Sequence, residues 1–598
     1  MAEDLLWSLQ TNGSESRIMI PFSAACSRRT RAILATTVLG LAAVVSLAGS
    51  RSDAAQKKQA KKGPPPVAKP VAPPAPRSSL LTHEAWQNAP LVPMKPGELD
   101  ELINKELQTT KVEPAPLTSD EQFIRRVTLD LTGQLPVPAD VTEFVADRAS
   151  NKRGKLVNKL LESDDYARHW ARYWRDVFSA RVSDRRGLIL VNAFEKWLTQ
   201  EFKQNKSWGA MARAMLTAEG PCDFDDDGKN GAVFFLAAHR GPDAANEQAA
   251  ETARVFLGIQ IQCAQCHDHP SDQWKRVQFH ELAGYFARTR ERFVPGANGK
   301  RATVELVSAR QGEHEMPSPT DPKKTFVTFP RFLDGKSAGN NLSDKDRRVA
   351  LANAIVDKNN YWFAGAYVNR IWGELMGQSF YQPVDDMGPK KEAVFPTVLT
   401  RLTGAFRGTN YDVKEMFRAI MTSQTYQRQI RLGDSTDQHL HFAAAYPTRL
   451  RADALWDSLV GVLGNLGPPQ QAPRRPMGPF AGIGGLEGQF KEEFRFDPSL
   501  KADEIESSVP QALLMMNNPA INNRIQARGT NLLGRILTAY PQNDEALRMV
   551  YLRTLARKPT DKEIDRCREY IQKVDNRAEA FEDILWSLLN STEFQTKR

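Results

Sequence analysis

From residue 98 onward, apolar residues recur at the three-to-four spacing that lines one face of a helix. This pattern predicts helices over Leu99–Leu107, Val157–Leu161, Tyr166–Phe178, Ala193–Phe202 and Trp208–Leu216. Another opens at Thr118-Ser119-Asp120-Glu121, where a hydroxyl and acids suit the free N–H groups of a helix start. Trp170 and Trp174 share one helical face, a core spacing. Glu247–Cys266 reads as a single long helix. Period-two alternation is confined to residues 293–340, at Thr303–Val307 and Thr325–Phe329, and predicts short strands. Helical spacing returns at Asp346–Val356, Phe363–Met376, Pro396–Arg407, Val413–Thr422 and Arg451–Leu463. Residues 464–499 are Gly- and Pro-rich and read as a long loop; Ile521–Thr538, Glu545–Leu555, Asp561–Lys573 and Ala578–Leu589 close the chain. The expected fold is mainly α: two helical domains, 98–292 and 341–598, with a small β-containing insertion, 293–340, between them.

The first 97 residues follow another pattern. Arg28, Arg29 and Arg31 precede an uncharged stretch, Ala32–Ala48, followed by small residues, so 1–55 reads as an export signal. The stretch 32–48 also reaches the lower length of a membrane-spanning helix, which makes an uncleaved anchor the alternative. Translation from Met19 would give the signal an ordinary length. Residues 56–97 are rich in Lys, Pro and Ala and read as an extended linker. The expected location is the periplasm or cell surface. Of the 598 residues, 41% are apolar and 25% charged, which suits a soluble body and excludes a multi-span membrane protein. Net charge is +9, but residues 1–97 carry 12 basic and 5 acidic residues, leaving 68 and 66 for the remainder. The body therefore has no nucleic-acid footprint.

Export changes how the cysteines are read. Cys26 lies in the signal, and Cys222, Cys263, Cys266 and Cys567 are expected to be paired, metal-bound or attached to a cofactor. Cys263-Ala264-Gln265-Cys266-His267 is a C-x-x-C-H string, the attachment signature of haem c. On a helical turn the two thiols and the imidazole approach one side, so Cys263 and Cys266 can form thioethers while His267 ligates iron. Met316, Met376, Met387 and His280 are candidates for the other axial position. Zinc or another divalent metal is an alternative, held by the two cysteines with His267, His269, His280 and Asp268. A Cys263–Cys266 disulfide and an incidental motif are two more. Asp223, Asp225 and Asp227, ahead of Gly228, resemble half a calcium loop, but Phe234 occupies the position of its closing Glu.

The string Thr252–Phe286, TARVFLGIQIQCAQCHDHPSDQWKRVQFHELAGYF, resembles the planctomycete cytochrome-c-like exported proteins of domain of unknown function 1549. Tyr166–Phe178 resembles that family's Trp-rich helix. Tyr367–Phe380, Val384–Pro389, Ala419–Gln429, Val509–Ile525 and Tyr551–Ile564 look like its usual partner, domain of unknown function 1553. The resemblance covers about residues 98–598. It implies a haem role for Cys263, Cys266 and His267, and it implies no established reaction. Asn369, Arg370 and Trp372 match the partner domain's N-R-x-W string, and Asp385 and Asp386 its paired-acid loop. The His-rich continuation of that pattern is replaced by Gly373-Glu374-Leu375, and its His-Pro pair by Phe395-Pro396. The expected function is electron transfer or a redox step with an unidentified redox partner. The alternatives are a surface scaffold with a structural metal, and a metal-dependent hydrolase using His267, His269 and the Asp385/Asp386 loop.

Overall fold

The computed structural model describes residues 78–597 apart from 183, 225, 226, 297–301, 322, 340, 432–441 and 467–484. The expected signal or anchor and most of the expected linker lie outside these residues. No helix among the described residues is long and apolar enough to cross a membrane.

The fold is mainly α, as the apolar spacing predicts. Ser119 and Ser163 cap their helices by accepting from the N–H of Gln122 and Tyr166, which starts Asp120–Thr132 and Asp164–Ser179 where the sequence places polar residues. Three small antiparallel sheets accompany the helices. β1 (Ser78–Leu80) pairs with β7 (Glu392–Val394). β2 (Gly220–Asp223), β4 (Thr303–Ser308) and β3 (Thr289–Val294) form a three-stranded sheet in that order. β5 (His314–Pro317) and β6 (Thr325–Thr328) form a hairpin in which Met316 stands opposite Phe326. Since β2 precedes the insertion in sequence, the insertion is stitched to the first helical block.

Two apolar cores organise the chain. One gathers mostly residues from Trp86 to Ala445, the other mostly residues from Leu450 to Phe594. The division between them falls after the insertion, so both flanks of the insertion share the first core. Trp174 is fully buried there, with ring centroids 4.2 Å from Trp208 and 5.6 Å from Tyr367. Its spacing from Trp170 correctly marked a core face.

Four expectations change. Residues 78–97, at the end of the expected linker, fold onto the body: β1 joins β7, and Trp86 is fully buried, stacked 4.9 Å from Tyr361. The expected Glu247–Cys266 helix is broken into Ala244–Thr252, a π-helical turn Ala253–Leu257 and a 3₁₀ turn Ile261–Gln265. The break is Gly258, at φ 69°, a left-handed cap that a side chain disfavours. Within the expected 464–499 loop, Leu486–Phe494 is helical and buries Phe490 and Phe494. Ile521–Thr538 is two helices, Pro519–Ile525 and Leu532–Ala539. Between them the Asn531 amide donates to the carbonyls of Asn523 and Gln526, completing the first helix end.

One histidine makes this fold acid-sensitive. Gly133, the left-handed cap of Asp120–Thr132, leaves no room for a β-carbon because the His169 ring lies 2.4 Å from where one would stand. Burial, reinforced by the charges of Lys597, Arg451 and Arg172, pushes His169 down to about 3. The folded chain therefore keeps this ring neutral where an unfolded chain takes up a proton. Its contribution is complete above about pH 6.5 and is lost as pH falls toward 3. Between pH 6.5 and 4, thermal unfolding of His169→Gln should lose less stability than the parent, by about 3 kcal/mol. Parallel pH profiles for the two proteins would contradict this.

Candidate functional site

The Cys-x-x-Cys-His string lies on the surface. Its first three residues lie in the 3₁₀ turn after Gly258, and Cys266 and His267 follow it. Cys263 and Cys266 are exposed and unbonded, while Ala264 between them is buried and anchors the turn. His267 Nδ1 lies 2.7 Å from the carbonyl of Asp268; a carbonyl can only accept, so Nδ1 carries the proton and Nε2 keeps its lone pair. Asp268 is fixed in turn by Lys275 Nζ at 2.9 Å and the Arg276 N–H at 3.0 Å. The Arg276 N–H, followed by the Lys275 ammonium, lowers the pKa of this carboxyl.

The other proposed ligands point elsewhere. His269 Nδ1 accepts from the Ser271 N–H at 3.3 Å. His280 is buried; its Nε2 donates to the Gln265 carbonyl at 3.0 Å, so its Nδ1 accepts from His314 Nε2 at 2.8 Å. The six residues of the alternative metal set are therefore already committed to separate partners or exposed. Among the described residues, no group of three or more His, Cys, Asp or Glu side chains is placed to hold a metal ion. Asp223 ends β2 opposite Thr303, the Asp227 carbonyl accepts from the Gln200 amide, and Asp225 lies outside the described residues.

The Asp385/Asp386 loop meets the segment around the motif at Gly258 and Ser271, and its carboxylates face cations. Met387 N–H donates to the Gly258 carbonyl at 2.7 Å, and Lys391 Nζ bridges Asp386 at 3.0 Å and Ser271 at 3.1 Å. Asp385 is fully buried. Its carboxylate accepts from Gln260 Nε2 at 2.9 Å, Ser499 Oγ at 2.9 Å and Arg254 Nη1 at 3.2 Å. Arg181 and Arg370 lie 3.5 and 3.8 Å away. Burial alone would raise its pKa, but Arg370, Arg254 and Arg181 outweigh that and hold it at about 2. Arg254 is itself clamped by Glu251 at 2.8 and 2.5 Å and by the Val177 carbonyl at 2.6 Å. Asn369 fastens the loop from behind, its amide donating to the carbonyls of Tyr381 and Val384 and its oxygen accepting from the Tyr381 N–H.

Sequence reasoning found Asp385, Asn369 and Arg370 but missed Arg181, Arg254, Gln260 and Ser499. Arg254 carried a readable signal, a lone cation inside the apolar run Ala253–Leu257. Ser499, more than a hundred positions beyond Asp385, carried none.

The junction between motif and loop is tight. A β-carbon on Gly258 would lie 2.7 Å from Met387 Sδ and 3.2 Å from Ala366, in a left-handed backbone. Gly258→Ala is expected to lower stability by about 2 kcal/mol, read as a shift in the denaturant midpoint. An unchanged midpoint would mean the junction relaxes freely.

Together these features define an α-helical protein in which a buried carboxylate–arginine lock stands behind an exposed Cys-x-x-Cys-His turn. Residues 98–291 match the family model PSCyt2, described as a protein of unknown function (DUF1549), and residues 347–493 match PSD1, likewise described as a protein of unknown function (DUF1553). No curated protein and no solved structure matches the chain. The lock joins the two matched segments, since Arg254 and Gln260 come from the first and Arg370 and Asp385 from the second.

Proposed function

We propose that this chain is an exported c-type haem protein that carries electrons, or supports a redox step, at the periplasm or cell surface. The observation that carries this reading is the exposed turn with two unbonded thiols and an imidazole whose Nδ1 is held by a backbone carbonyl. That donor set fits the group: thiols open to thioether formation, and a histidine in the tautomer that leaves Nε2 for iron. Bound there, haem would supply a one-electron iron couple. Asp268 would keep the His267 ring in register through its carbonyl, with its own carboxylate tied to Lys275 and Arg276. Apolar cover is at hand on the β5–β6 hairpin. Arg276 ties that hairpin to the motif by donating to the carbonyls of both Gln265 and Pro317. Phe326 of the hairpin is 52% exposed and Val277 nearby is 43% exposed, an apolar surface that a porphyrin edge can cover.

Of the four residues that could serve as a second iron ligand, Met376 and Met387 are buried and His280 is committed to Gln265 and His314. Met316 is only partly buried and shares a hairpin face with His314. It is the residue this reading assigns.

The test is export of the full chain in a host with a haem c maturation system. The expected product shows a Soret band and haem staining that survives a denaturing gel. A colourless product under conditions that mature a control cytochrome would overturn the reading.

A further inference from the structure

Beside the lock lies a cleft of about 60 Å³ lined by Tyr173, Arg370, Glu374, Ser379, Arg449 and Lys501, among others. A water needs about 10–15 Å³ of such space, so this cleft holds a small polar group and excludes a sugar ring or a nucleotide. Its charge balance is unusual. Arg370 is 3% exposed; its guanidinium meets the Tyr173 hydroxyl, but its Nη1 has no hydrogen-bond partner. Its nearest carboxylate oxygen, on Asp385 at 3.8 Å, is already engaged by Arg254 and Ser499. Arg449 donates to the Glu506 carbonyl and the Gln511 amide oxygen, both uncharged. Burial lowers the pKa of Arg449. Lys501 stands at the rim, 3.5 Å from Glu504. The one acid lining the cleft, Glu374, is taken by Lys597 at 2.7 Å.

A second cleft of about 250 Å³ adjoins the first and shares Arg449, Phe496, Leu500 and Ile505 with it. Its further walls include Leu450, Leu455 and Phe494, with Glu504 and Glu506 also lining it. Arg449 and Arg495 in the same lining offset those acids, while the leucines and phenylalanines accept an apolar group.

We propose that the two clefts form one binding site for a monocarboxylate with an apolar chain, its head group at Arg370 and Arg449 and its chain against Leu450, Leu455 and Phe494. A planar carboxylate matches the fork of a guanidinium and satisfies the buried Nη1 that the fold leaves open. This site is independent of the haem reading, since it uses neither the motif nor its hairpin.

The test is calorimetric titration of the full chain with hexanoate, acetate and inorganic phosphate. Hexanoate is expected to bind saturably, and acetate about tenfold or more weakly, because only the longer acid buries methylenes in the second cleft. Arg370→Gln should weaken hexanoate about tenfold or more. Because Arg370 also supports Asp385, Arg449→Gln provides a second variant outside the lock, and it should weaken hexanoate severalfold while lowering the thermal midpoint less than Arg370→Gln does. Leu455→Asn should narrow the gap between hexanoate and acetate. Phosphate binding more tightly than hexanoate, no saturable hexanoate binding, or hexanoate affinity indifferent to Arg449→Gln would each overturn the proposal.

Discussion

Cys263→Ser and Cys266→Ser, made together and exported alongside a haem c maturation system, are expected to yield a protein that retains no haem through denaturing electrophoresis. The parent chain should retain it. The thiols are exposed and bonded to nothing, so their replacement removes no packing. Compared without haem, the two proteins should differ in stability by no more than about 0.5 kcal/mol. This pairing of outcomes separates chemistry from folding: a large loss of colour with an unchanged fold is what covalent attachment requires. On the haem reading, either single substitution would leave one thioether and yield a partly retained, spectrally shifted haem. Met316→Leu tests the second ligand that the haem reading assigns. It should keep covalent haem and lose the near-infrared methionine-to-iron charge-transfer band, while an unaltered spectrum would move the second ligand elsewhere. Haem retained after loss of both cysteines would remove the thioether reading.

Asp385→Ala is expected to cost about 3–5 kcal/mol of stability. The carboxylate is fully buried and stands among Arg254, Arg370 and Arg181, so its removal takes the nearest counterion from the buried Arg370 and leaves Arg254 with Glu251. Asp385→Asn keeps the shape and one acceptor oxygen, for Gln260 or for Ser499, which bond to different oxygens of the carboxylate; it removes the charge and should recover only a minor part of the loss. Chemical denaturation with both variants measures it. A variant at parental stability would show that Glu251 alone suffices to neutralise the cluster. The same arrangement sets an acid limit: because the folded carboxyl sits at about 2, its contribution is present above its ordinary value near 3.8 and fades as pH falls from there.

The helical body was legible because its apolar spacing is regular and its caps are conventional: Ser119 and Ser163 start helices where hydroxyls precede acids. What escaped depends on long-range packing. Gly258 sits inside an apolar run whose spacing continues past it, so periodicity alone carried the expected helix through to Cys266. The reason it cannot continue is Met387, more than a hundred residues away, whose N–H takes the Gly258 carbonyl. Trp86 reads as a lone aromatic at the end of a Pro-rich stretch, and only Tyr361 and the β7 edge make it a core residue. The motif itself was plain from spacing, since its chemistry is local. The lock behind it was half legible: Asp385 and Arg370 stood out through family resemblance, whereas Arg254, Gln260 and Ser499 become a site only when three separate segments close on one carboxylate.

The pairing of β1 with β7 has a mechanical consequence. Ser78–Leu80 is held by three residue pairs to Glu392–Val394, immediately beyond the loop bearing Asp385 and Asp386, with Trp86 wedged behind as a stop. Any pull on the residues that precede β1 is therefore delivered at that edge and carried into the first core through one tryptophan.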